Sequence, residues 1–136
     1  MLTDKEKTVL NELRTNSRKS FSKIALKNKI PVTTIFDAHD RLVRKEVITK
    51  QTPIINFKKA GYPVRVLVET EGQQILELNH PQINNLHVTS NGAMTELLFK
   101  DMVEKQEFLE FLEAQKLLVT QVYDIIEPIK EEGLKV

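Results

Sequence analysis

The chain has no cysteine and no tryptophan among its 136 residues. Without thiols there is no disulfide framework, no reactive thiol and no thiolate metal site, so reinforcement must come from packing or from assembly. The same absence fits a reducing compartment. No apolar run approaches the roughly 18 residues of a membrane span, and the opening MLTDKEKTVL lacks the apolar core of a signal peptide. A cytoplasmic location away from any membrane is therefore expected. Also missing are an internal repeat, a low-complexity run, a glycine-rich phosphate loop, a nucleophile elbow and a plausible catalytic triad. His80 and His87 have no acid or histidine at ligand spacing. His39 lies between Asp37 and Asp40, whose side chains leave the helix on other faces, so it is expected in a core. The acids Glu104, Glu107, Glu110 and Glu113 read as the solvated face of one helix. No enzyme, cofactor or metal is expected.

What is present is a marked asymmetry of charge hidden by a net charge of +1. Residues 1–60 hold 14 Lys and Arg against 6 Asp and Glu, whereas residues 61–136 hold 6 against 13. A surplus of +8 followed by a deficit of −7 describes a basic module suited to a polyanion, joined to an acidic module with another task.

The local patterns give the order of elements. TDKE at Thr3–Glu6 is a capping box that opens a helix with an apolar stripe of Val9, Leu10 and Leu13. TNSRK is a polar connection, and Ser20 caps a short second helix that turns Phe21, Ile24 and Ala25 inward and ends near Asn28. Pro31 blocks continuation, and a third helix starts at Val32 or Thr33 and runs to about Lys45. β-Branched Val47, Ile48 and Thr49, then Ile54 to Phe57 after Pro53, are two candidate strands of a ribbon. Three helices and a ribbon make a winged helix-turn-helix. Beyond Gly61, YPVRVLVET alternates as a strand does, EGQQILEL is a short helical segment ended by His80 and Pro81, and LHVTSNGAMTELLF is a hairpin with Asn91-Gly92 as the expected type I′ turn. Phe108, Phe111, Leu112 and Leu118 mark a helix from about Glu104 to Leu117, and VTQVYDII is a last strand. The fold class is α+β: an N-terminal winged helix-turn-helix in residues 1–60, with its linking strand, and a ferredoxin-like βαββαβ domain in residues 61–136.

On a helical wheel the third helix turns Ile35, Phe36, His39, Leu42 and Val43 inward and Thr34, Asp37, Ala38, Arg41 and Lys45 outward. The outward face suits a major groove. Thr33, Thr34 and Ala38 are small enough for close approach, Arg41 reaches guanine or phosphate, and Arg44 and Lys45 meet the backbone. Lys19, Lys23, Lys27, Lys29 and Lys50 supply further phosphate partners. Asp37 precedes Arg41, and Asp40 precedes Arg44, by the four residues that favour intrahelical ion pairs. Asp37 has a second role open to it, since a carboxylate in the groove accepts from the cytosine amino group and repels phosphate.

In this order, LTDKEKTVLNEL, FSKIALKNKIPVTTIFDAHDRLVRKEVI and NFKKAGYPVRVLV resemble the opening helix, the helix-turn-helix and the AGY-containing connection of the Lrp/AsnC family of feast/famine regulators. The resemblance implies a transcriptional regulator that binds double-stranded DNA as a homodimer or higher oligomer. Its second domain would pair sheets between copies and, as in many members, bind an amino-acid effector. The departures are acids at Asp37 and Asp40, where the family is rich in arginine, and VTSNG in place of the family's VTG segment. The effector loop then falls on Thr89, Ser90, Gly92 and Thr95, with Thr95 where an acid is usual. Siroheme decarboxylases also resemble this family, but of their His and aromatic residues only His87 lies near the hairpin. A further alternative is an interaction or effector-modulating partner of such regulators, with weakened or lost DNA binding.

Overall fold

The computed structural model describes residues 1–136. They form two compact units, Met1–Ile54 with Lys130–Val136, and Ile55–Ile129. No helix is long and apolar enough to cross a membrane.

The first unit holds three helices, α1 (Asp4–Thr15), α2 (Phe21–Asn28) and α3 (Val32–Arg44). The capping box at the start of α1 is complete: the Thr3 hydroxyl accepts from Glu6 N at 3.2 Å, and Thr3 N donates to the Glu6 carboxylate at 3.0 Å. Ser20 caps α2 by accepting from Lys23 N at 3.2 Å. α2 ends after Asn28, but the left-handed residue is Lys29 (φ 54°), while the Asn28 amide turns back to Ile24 O at 2.9 Å. Three residues, Lys29 to Pro31, then lead into α3, which is a helix-turn-helix connection. Val9, Leu13, Ile24, Ala25, Ile35, Ala38 and Leu42 form the core of this unit. The last residues of the chain belong to it as well. Asn11 exchanges two hydrogen bonds with the Val136 backbone at 2.9 and 3.0 Å, and Arg14 meets Glu132 at 2.7 Å. A division by charge at residue 60 does not foresee that return.

The expected ribbon of Val47–Thr49 and Ile54–Phe57 does not form; neither segment is a strand. Val47 N and Ile48 N are already used by Leu42 O, at 2.9 and 3.1 Å, in closing α3. Pro53 has no donor to give, so β-branching here finds no ladder to join.

The second unit is an antiparallel sheet in the order β2-β3-β1-β4, from β1 (Val64–Glu71), β2 (Ile83–Val88), β3 (Gly92–Phe99) and β4 (Val119–Asp124). A single 3₁₀ turn, Gln74–Glu77, replaces the first helix of the expected βαββαβ order, and α4 (Met102–Ala114) is the second. Asp101 caps α4 by accepting from Glu104 N at 2.8 Å. α4 ends earlier than the apolar pattern implies, with Leu117 buried and Leu118 exposed beyond it. The alternation of β1 turns Val66, Val68 and Thr70 into a core shared with Ile75, Leu97, Phe99, Phe108 and Leu112. The hairpin between β2 and β3 is present, but its turn is not Asn91-Gly92. Thr89 N donates to Gly92 O at 2.9 Å, which leaves Ser90 and Asn91 as the connection, and no residue from Thr89 to Gly92 has a positive φ. Type I′ geometry is thereby excluded. Gly92 is needed for space: a Cβ there would fall on the Thr70 carbonyl oxygen, with Gly72 N and O 2.9 Å away.

Candidate nucleic-acid interface

The exposed side of α3 is set by what its other side must bury. Ile35, Ala38 and Leu42 are fully buried, while Thr33, Phe36, Asp37, Asp40, Val43 and Arg44 are exposed and Thr34 is half-buried. Relative to the expected wheel the helix is turned by roughly 70°, at 100° per residue. Ala38, expected outward, is in the core, and Phe36 and Val43, expected inward, face solvent. Two causes act together. The small Ala38 side chain lets neighbouring helices come close, and a buried carboxylate on α1 draws the basic side of α3 toward itself.

That carboxylate is Glu6, whose side chain is fully buried. Lys45 Nζ approaches it at 2.9 Å and Arg41 Nε at 3.0 Å. The Lys45 ammonium, the Thr3 backbone donor and the Arg41 guanidinium overcome burial and hold the Glu6 carboxyl down to about 2. Arg41 therefore does not pair with Asp37, and Asp37 makes no ion pair. Asp40 and Arg44 do pair, as their spacing implies. Glu12 does for α2 what Glu6 does for α3. Lys19 and Lys27 converge on it, Lys27 at 2.7 Å, with the Asn28 amide at 3.5 Å. Lys19 first and Lys27 next hold the Glu12 carboxyl down to about 2, and Glu12 in turn raises the Lys27 ammonium. In sequence Glu6 and Glu12 are two charged residues among several in an amphipathic helix, which is why they pass for surface charge.

The cations proposed for phosphate thus fall into two groups. Lys23, Lys29 and Lys50 are exposed and make no ion pair. Lys19, Lys27, Arg41 and Lys45 are held by acids of α1, although the Arg41 and Lys45 side chains remain 40% and 45% exposed. His39 is half-buried with its ring 4.9 Å from that of Phe21.

In the second unit the four residues read as an effector loop do not share one surface. Ser90 is exposed and Thr89 half-buried, whereas Gly92 and Thr95 are buried. The Thr95 hydroxyl points into the core with no hydrogen-bond partner, as does that of Thr70. A cleft of about 440 Å³ lies elsewhere, lined by Phe57, Tyr62, His80, Asn84, Leu98 and Lys100 among others, and none of the four contributes to it.

The chain thus joins a helix-turn-helix, with an exposed third helix in a basic unit, to a ferredoxin-like four-stranded sheet. Its fold is that of the Lrp/AsnC regulators. AsnC of E. coli superposes with a TM-score of 0.82 at 13% identity, covering 100% of this chain and 99% of that one. LrpC of B. subtilis gives 0.80 at 18% identity over 96% and 98%. A transcriptional regulator of Neisseria meningitidis, solved as its complex with L-Met, gives 0.81 at 10% identity over 96% and 94%. By sequence the chain is similar to an uncharacterised HTH-type transcriptional regulator of Pyrococcus furiosus, 24% identical over 118 residues and 80% of each chain. A counterpart from Pyrococcus horikoshii is 25% identical over 117 residues, 79% of this chain and 74% of that one. No family profile matches the chain.

Proposed function

We propose that this protein is a cytoplasmic, sequence-specific transcriptional regulator. It grips duplex DNA through the helix-turn-helix of residues 1–60 and assembles through residues 61–136. The observation that carries the reading is the exposed face of α3 in a unit where Lys23, Lys29 and Lys50 are exposed and unpaired. Thr33, Thr34, Asp37 and Arg44 meet the groove, Lys23 and Lys50 meet phosphate, and Arg41 and Lys45 reach phosphate from the edge of the face while staying fixed to Glu6. Ala38 sets how closely α3 packs and does not touch DNA. The relatives carry the names of regulators, which favours this role over a catalytic one.

Assembly falls to the sheet face opposite α4. The register places Leu67, Met94, Leu98 and Tyr123 on that face, around an ion pair of Arg65 and Glu96 at 2.9 Å. Burial opposes ionisation of Glu96, but Arg65, Asn84 and Asn85 outweigh it and keep its carboxyl below the usual range. A second copy covering this apolar ring makes a dimer, and the dimer's symmetry sets the half-site spacing. An amino acid is the effector class favoured by the L-Met complex of the Neisseria structure. The hairpin tip at Thr89 and Ser90 is its contact, whereas Gly92, packed on Thr70 and Gly72, and Thr95, buried opposite Val68, do not face it.

Selection of bound sites from random duplexes tests binding and symmetry together. The expected result is a pseudo-palindrome whose affinity falls steeply with salt, with a slope of about −0.9 per phosphate contacted. A protein that enriches no duplex sinks the reading. Asp37→Ala should tighten binding to random duplex.

A further inference from the structure

We propose that Phe36 is the main base-discriminating side chain of α3 and that it reads the 5-methyl group of thymine, an inference that rests on the DNA-binding role above. Three observations converge on it. Phe36 is 56% exposed, with its ring packed edge-on against Phe21, centroids 4.7 Å apart and planes at 85°. With Val32 and Val43 also exposed on α3, this ring leaves the helix an apolar contact surface beside its charges.

The commonest specific contact, arginine to guanine N7 and O6, has no donor in the first half of α3. Arg41 is engaged by Glu6, and Arg44, in an exposed pair with Asp40, is the last residue of the helix. Finally, the N-terminal residues of a recognition helix contact base edges, and in the first half of α3 the exposed side chains past its first residue are Thr33, Phe36 and Asp37. Asp37 repels phosphate, so where it enters a duplex the Phe36–Asp37 pair must sit over base edges. There the carboxylate accepts from an amino group and the ring meets the one apolar feature of the major groove, the thymine methyl. The occupant is DNA because Lys23, Lys29 and Lys50, with no acid to neutralise them, belong to the same unit and demand a polyanion.

The test follows from the methyl group itself. Once a site has been selected by the full-length chain, each thymine in it is replaced singly by uracil, which removes the methyl and nothing else. Wild-type affinity should fall about four-fold at one position per half-site, the worth of one buried methyl-sized group. Phe36→Ala should bind the thymine and uracil duplexes equally, while Lys23→Ala weakens both and keeps their ratio. The wild-type comparison stands without the variants. Indifference of the wild type to every uracil, or discrimination retained by Phe36→Ala, overturns the assignment and leaves DNA binding intact. Failure to select any duplex removes the DNA-binding role and this inference with it.

Discussion

The two units of this chain treat charge in opposite ways. In the helical unit, buried acids tie helices together: Glu6 joins α1 to the cations of α3, and Glu12 joins α1 to Lys27 and Asn28 of α2. In the sheet unit the core under α4 holds no charge, its strands are held by their ladders, and the buried Glu96 network lies on the other face. Three short helices bury little area and need specific fasteners between them, whereas a four-stranded sheet supplies its own. The comparison also corrects the arithmetic of charge. Of the 14 cations in residues 1–60, the four held by Glu6 and Glu12 serve the fold before they serve a ligand.

This contrast can be broken from either side. The largest effect is expected in the sheet unit, where Gly92→Ala drives a methyl into the Thr70 carbonyl. It should destabilise by about 3 kcal/mol, with hydrogen exchange accelerated in β1 and β3 and not in α1–α3. Glu6→Ala should act on the helical unit instead, lowering its melting temperature by roughly 5 °C from the lost cap alone and further from two stranded cations. Exchange in α1 and α3 reports it, and an unchanged α3 would show that the ion pairs hold nothing.

Acid should reach the same fasteners without mutation. Both Glu6 and Glu12 are held down to about 2 from 4.5 in the folded chain, so between these values the unfolded chain binds more protons. Their contribution is therefore complete above about pH 4.5 and is lost as pH falls toward 2. A pH series of exchange in α1–α3 checks this, and Glu6→Gln with Glu12→Gln should flatten it. A smaller gain sharpens the contrast: Thr95→Val replaces a buried hydroxyl without a partner by an isosteric methyl and should stabilise the sheet unit by about 1 kcal/mol. Smallest is Asp40→Ala, which removes an exposed pair with Arg44 and should change stability by no more than about 0.5 kcal/mol in thermal melts.

Much of the fold was legible because it is written locally. The capping box at Thr3 and Glu6, the cap at Ser20, the stop at Pro31 and the alternation of Val64, Val66 and Val68 each depend on residues a few positions apart, and each stands where its pattern puts it. Where the fold departs from the local pattern, partners outside that pattern decide. Val47 and Ile48 have strand-forming side chains but donate to Leu42 and find no ladder. Asn91-Gly92 has the composition of a tight turn, yet Gly92 is required by the approach of Thr70 and Gly72 on another strand. For the candidate site, the exposed positions of Asp37 and Lys45 were readable from the helical period, while the burial of Ala38, the half-burial of Thr34 and Arg41 and the exposure of Phe36 and Val43 were not.

Sequence alone determined α1 to α3, the four strands and last helix of the second unit, and the basic and acidic halves, since propensity, caps and period act over one or two turns of chain. Tertiary structure alone decided how far α3 rotates, which cations are left for a polyanion and which side chain stands proud of the face. Those depend on Glu6 meeting residues 35 and 39 positions away, and hydrophobic periodicity carries no information about a charge buried at that distance.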